Sequence, residues 1–204
     1  MEDTADLVRP LKGRKAVEKN HPLQFIGQST RSNYCAVYST GMLLSMLGMP
    51  ITRPRLLRLF DLTRTNPRYL GASHADIGIV FAREVHLERW RWVCWPAFDF
   101  DAISESLRWQ LRRTGCPTLL SFGIIHKNRR WRARHVAVVR AAADRVIELL
   151  DPLGRKPHIN CSANVLLRLS PDSQNIRVIG NSYYLDTRQR VGVLCWSKKH
   201  HGTS

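Results

Sequence analysis

No stretch of this 204-residue chain is long and apolar enough to cross a bilayer. Residues 1–21, mixed in charge and without an apolar run, read as neither a signal peptide nor an anchor. Acidic residues are scarce: 16 Asp and Glu against 32 Lys and Arg leave a net charge of +16 with the histidines neutral. Such a balance draws acidic partners of every kind, nucleic acid, anionic membrane and acidic protein segments alike, and names none of them. Cysteine is also sparse. The five present, Cys35, Cys94, Cys116, Cys161 and Cys195, are odd in number, scattered, and contain no Cys-x-x-Cys pair. That argues against a disulfide framework and a structural zinc site, and for reduced thiols in a cytoplasmic protein. His200 and His201 lie near Cys195 but in a tail that reads as frayed rather than as a ligand set. No internal repeat or low-complexity tract divides the chain.

What is there is an apolar fraction of 44%, enough for one domain with a substantial core. We place that domain at residues 22–197, with a mixed-charge tail at 1–21 and a flexible one at 198–204. A polar loop, Gln28 to Tyr34, ends at Cys35. The run that follows, Ala36, Val37, Met42, Leu43, Leu44, Met46 and Leu47, predicts a helix stopped by Gly48 and Pro50. Cys35 then sits at a helix N-terminus, where unpaired N–H groups and the helix dipole favour a thiolate and raise its nucleophilicity. Gln28, just upstream, can lend an amide donor to the same place. A cysteine alone reads more simply as a buried helix residue, so its partners decide.

Those partners lie in Arg134 to Gly154. Val136–Val139 and Val146–Leu150 are β-rich runs around Ala-Ala-Ala-Asp, which predicts a hairpin. With the turn centred on Ala143, Arg140 pairs with Val146, Val138 with Glu148, and His135 with Asp151, imidazole directly opposite carboxylate. Asp144 falls at the turn, too far away to reach His135. A thiol on a helix tip, an imidazole base and an orienting acid are the parts of a nucleophilic triad.

In the order Gln28, Cys35, His135 and Asp151-Pro152, the chain resembles the papain-like cysteine peptidases, and among them the bacteriocin-processing, double-glycine-type family. Gly71-Ala72-Ser73 before a helix resembles that family's middle region. The likeness covers about Gln28 to Gly154. Where the family has Asp-Cys-Gly-Pro, this chain has Tyr34-Cys35-Ala36-Val37, and no transporter domain follows. The resemblance implies an α+β, papain-like fold in which a helical subdomain bearing Cys35 packs against an antiparallel sheet bearing His135 and Asp151. It also implies hydrolysis of a peptide or isopeptide bond without a cofactor. Cys35 would be the nucleophile, His135 the base and acid, and Asp151 the group that orients it, with the Gln28 amide and the Cys35 backbone N–H holding the oxyanion.

The remaining segments are read locally. Thr52-Arg53-Pro54 opens a helix to Phe60. Ser73 caps another to Val85, with Asp76 completing a capping box. Leu87–Trp95 alternates as a strand with one basic face, and Asp99 or Asp101 caps a helix ending near Arg113. Pro117–Phe122, Val165–Leu169, Ile176–Ile179, Ser182–Leu185 and Val191–Trp196 read as strands. His74 and His86 flank a helix at a spacing that matches no ligand pattern. The basic segment His126–Arg134 reads as a loop. Next to His135, its Arg130, Trp131 and Arg132 can line a cleft and select an acidic peptide or protein substrate. The same arginines and tryptophan could instead hold phosphates and stack on bases, the alternative of a nucleic-acid-binding protein. A third expectation is a papain-like binding module without turnover.

Overall fold

A computed structural model of the chain describes residues 34–62, 71–87, 89–126, 132–153, 164–169, 176–180 and 183–197. In chain order the elements are α1 (Cys35–Met46), α2 (Arg53–Leu59), α3 (His74–Val85), β1 (Arg89–Trp95), α4 (Phe100–Thr114), β2 (Thr118–His126), β3 (Arg132–Ala143), β4 (Val146–Leu150), β5 (Asn164–Leu169), β6 (Ile176–Ile179), β7 (Tyr183–Leu185) and β8 (Val191–Ser197). The strands form one antiparallel sheet in the order β1-β8-β2-β3-β4-β5-β6, with β7 pairing the far half of β2. The α+β expectation, with the Cys35 helix packed on an antiparallel sheet, is therefore met.

Alternation along the strands divides the core in two. Leu119, Val136, Val138, Leu194 and Trp196 face α1, α2 and α3. Leu120, Phe122, Ala137, Val139, Val193 and Cys195 face α4. On the first face α1 is buried from Ala36 to Ser45, including its polar residues. Ser39 meets that burial by donating to the Val136 carbonyl at 2.7 Å, which also ties α1 to β3. Thr40 donates back to Ala36 O at 2.8 Å. On the other face the buried Gln110 of α4 donates to Trp196 O and accepts from Trp196 N–H, satisfying both backbone groups at the end of β8.

Helix starts follow local chemistry. Thr52 accepts from Arg55 N–H, Asp99 accepts from Ala102 N–H, and Ser73 and Asp76 close a reciprocal capping box. Close packing of α3 on β1 depends on Gly78, where a Cβ would stand 2.0 Å from the Trp90 ring.

Two local expectations are corrected. The hairpin of β3 and β4 turns at Asp144-Arg145, pairing Ala143 with Val146, and Arg140 is an extra residue where the register shifts between Val139 and Ala141. Val138 therefore pairs with Leu150 rather than with Glu148. A bulge of this kind is invisible to a count made from the turn. The segment read as a basic loop is in part strand: β2 runs on to His126 and β3 begins at Arg132. Among the described residues no helix is long and apolar enough to cross a membrane.

Candidate active site

Cys35 is the first residue of α1, so its backbone N–H is one of those with no acceptor within the helix. Its thiol lies 3.9 Å from the Arg134 carbonyl. That contact places the helix tip against β3 at the point where the chain reaches His135. The imidazole is buried, wedged between Phe122 (edge-on, 5.4 Å between centroids) and Tyr183 (5.6 Å). Its Nε2 lies 2.8 Å from Asp151 Oδ1, and the Cys35 sulfur interacts with the same ring. With Nε2 committed to the carboxylate, Nδ1 is left for the thiol.

Continuing the observed register, Asp151 falls opposite Ala137 rather than His135. The carboxylate reaches the imidazole along the diagonal of the pleat, where the two side chains share a face. The expected partnership thus holds although the expected pairing does not. Asp151 is held from three directions: Oδ1 accepts from the imidazole and from Leu153 N–H at 2.7 Å, and Oδ2 accepts from the Tyr183 hydroxyl at 2.5 Å. Leu153 N–H is available because Asp151-Pro152-Leu153 turns immediately after β4.

Electrostatics follow from this geometry. Burial alone would strip His135 of its proton. The attraction of Asp151, their hydrogen bond and the Cys35 sulfur outweigh it and push the imidazole up to about 10. Burial likewise disfavours the Asp151 carboxylate, but His135, Tyr183 and Leu153 N–H together hold it below the usual carboxylate range. Tyr183, buried and facing a carboxylate, is pushed well above an ordinary phenol.

A pH dependence of stability results. A group raised on folding stabilises fully below its unfolded value, so the His135 contribution is complete below about pH 6.5 and is lost between there and about pH 10. Asp151, lowered on folding, contributes fully above its unfolded value of 3.8 and loses that contribution as pH falls through its folded value. Thermal melts from pH 5 to 10 should show a decline above pH 6.5 that His135→Gln flattens. Parallel curves for the two proteins would refute the linkage.

Tyr183 is the group that sequence reading misses. It lies 32 residues from Asp151, on a three-residue strand, and no local pattern marks it. Tyr183→Phe should cost about 1.5–3 kcal/mol, the usual worth of a hydrogen bond to a charged group, read as a lower denaturation midpoint at unchanged slope. An unchanged midpoint would mean that Asp151 does not depend on this donor.

No family model matches the chain, and no curated protein matches it. Among solved structures it is similar to a crystal structure described as a "putative C39-like peptidase from Bacillus anthracis", with 11% sequence identity and a TM-score of 0.47. The match covers 88% of this chain and 96% of that one.

Of the residues expected at the site, the structure brings Cys35, His135 and Asp151 together. Gln28, Arg130 and Trp131 lie outside the described residues. Arg132 pairs with the buried Asp186 at 3.4 Å, which gives it a structural partner. Asp144 sits at the hairpin turn and pairs with Arg108 on α4, remote from the imidazole as expected.

Proposed function

We propose that the chain is a papain-like cysteine peptidase acting through Cys35, His135 and Asp151. The observation that carries this reading is a buried imidazole with its Nε2 committed to a buried carboxylate, beside a thiol on a helix tip that interacts with the same ring. Cys35 Sγ attacks the scissile carbonyl carbon, and His135, resting as an imidazolium, gives its Nδ1 proton to the leaving amine as the C–N bond breaks. Water then attacks the thioester, passing a proton to His135, and the acid product leaves. Asp151 holds the ring and balances its charge throughout. The Cys35 backbone N–H and the Gln28 amide are the proposed oxyanion donors. Among papain-like families, the order Cys35, His135, Asp151-Pro152 favours the double-glycine-type peptidases, with Ala36-Val37 as the departure from their motif.

The test is a comparison of protein termini in cells expressing the wild type or Cys35→Ala. New termini that require Cys35 would support hydrolysis and identify the substrate, and identical sets would overturn it. A module without turnover is told apart by alkylation: an activated Cys35 reacts fast at neutral pH and a structural one does not.

A further inference from the structure

Beside Cys35, on the sheet face covered by α1 and α3, lies a group of side chains that the proposed chemistry does not use. Cys94, Gly192, Ser121 and Val136 form one row across β1, β8, β2 and β3. Arg134, on β3 and on the same face as Val136, donates from its guanidinium to Ser121 Oγ at 3.0 Å. Its own carbonyl is the one that the Cys35 sulfur touches. At the other end of the row His74, the first residue of α3, stacks on Trp92 at 4.1 Å, and the Trp92 indole N–H donates to His74 O.

Gly192 makes room for this stack. A Cβ there would meet His74 Cε1 at 2.9 Å and Cys94 Sγ at 3.5 Å. From Cys35 at β3 to Cys94 on β1 the row spans three strand spacings, about 14 Å, roughly the reach of four extended residues.

The electrostatic character of this row is one-sided. Burial, then Arg134 and Arg190, push His74 down to about 4, so it presents a neutral ring at pH 7. His74 Nε2 is shut from solvent and has no hydrogen-bond partner among the described residues. Arg134 is an exposed residue of β3, yet burial of part of it and the neighbouring Arg190 both disfavour its charge, with only the Cys94 thiol on the other side of the balance. Among the described residues neither Arg134 nor Arg190 forms an ion pair with a carboxylate. Two neighbouring cations without an anion repel each other, in part screened by solvent, and an incoming carboxylate relieves that repulsion.

We infer that Arg134 and Arg190, with Ser121 and His74, form a subsite for a substrate carboxylate within about two residues of the scissile bond. The planar fork of Arg134 suits a carboxylate, and the Trp92-His74 stack fixes the far wall. This extends the peptidase reading, on which the word substrate rests. An acidic side chain or a chain-terminal carboxylate carries the chemistry equally, and peptides bearing one or the other at that place would separate the two.

The probes are iodoacetate and iodoacetamide, which alkylate thiols alike but differ in charge. Their rates are read separately at Cys35 and Cys94, at low extent, by peptide mass. In the wild type both thiols should prefer iodoacetate more than Cys116 does, and added salt should reduce the preference. Arg134→Gln and Arg190→Gln should each lower the iodoacetate-to-iodoacetamide ratio about fivefold, as expected for the loss of one partly screened charge. Arg134→Lys should keep most of it. The His135 imidazolium beside Cys35 attracts iodoacetate in every variant, so only the change between variants counts. Ratios at both thiols that ignore both substitutions would overturn the subsite. A Cys35 no faster than Cys94 towards iodoacetamide would overturn the peptidase reading instead, while Cys94 would still report on the arginines.

Discussion

Replacing Cys35 with alanine should reduce hydrolysis to background while leaving the fold intact, because in the proposed mechanism the covalent bond to the substrate is made by this sulfur. His135 calls for a more careful substitution. Alanine there would leave Asp151 buried and charged beside a cavity, a loss of about 3–5 kcal/mol that would confuse chemistry with folding. His135→Gln keeps an amide N–H for the carboxylate but can neither hold nor transfer a proton, and should cost at least about 10²–10⁴-fold in turnover. The double variant should be no worse than Cys35→Ala alone, since the two groups act in one step. Substantial turnover in Cys35→Ala, measured as release of new termini, would remove the nucleophile from the proposal.

The second large effect belongs to Asp151. Asp151→Asn keeps one oxygen to accept from Leu153 N–H, while an amide NH2 replaces the oxygen that faces Tyr183 and can donate to its hydroxyl, so the turn after β4 should persist. What disappears is the charge that holds the imidazole up to about 10. Turnover should fall by about 10²–10⁴-fold, the lower figure reflecting that a thiol leans on its base less than a hydroxyl does. The alkaline decline in stability should fade as well. Asp144→Asn is the matched control: exposed and paired with Arg108 on the protein's surface, it should be nearly silent. A crippled Asp144 variant with an active Asp151 variant would reverse the assignment.

The difference between those two aspartates is legible in the sequence, but the reason for it is not. Residue type, strand pattern and Pro152 single out Asp151, and the count from the turn places Asp144 remotely. That count centres the turn on Ala143, whereas a turn at Asp144-Arg145 would alone put Asp151 opposite Val138, and the extra residue at Arg140 takes back one position and leaves it opposite Ala137. The site survives because a two-residue diagonal keeps both side chains on one face, whereas a shift of one residue would have separated them.

Helix starts at Thr52, Ser73 and Asp99 are readable because capping is settled within three residues. The strands are readable from alternation and β-branching. Their neighbours are not: that β8 lies between β1 and β2, and that Tyr183 reaches Asp151, are contacts across long stretches of chain that leave no local pattern. His74 stands out by type, yet only the fold shows that it faces two arginines.

The place of β8 bears on how the protein is made. β1 and β2 emerge from the ribosome with no bond between them, and each keeps a bare edge until Val191–Ser197 follows and fills the gap. Tyr183 arrives only shortly before. Cys35, synthesised long before either, cannot acquire its completed site on a nascent chain that stops short of β8. Most contacts that close the sheet are long-range, which makes closure slow and the open intermediate prone to edge pairing. On the proposed reading, Cys35 therefore stays latent through most of translation, and activity would begin only when the last described strand locks between the two that wait for it.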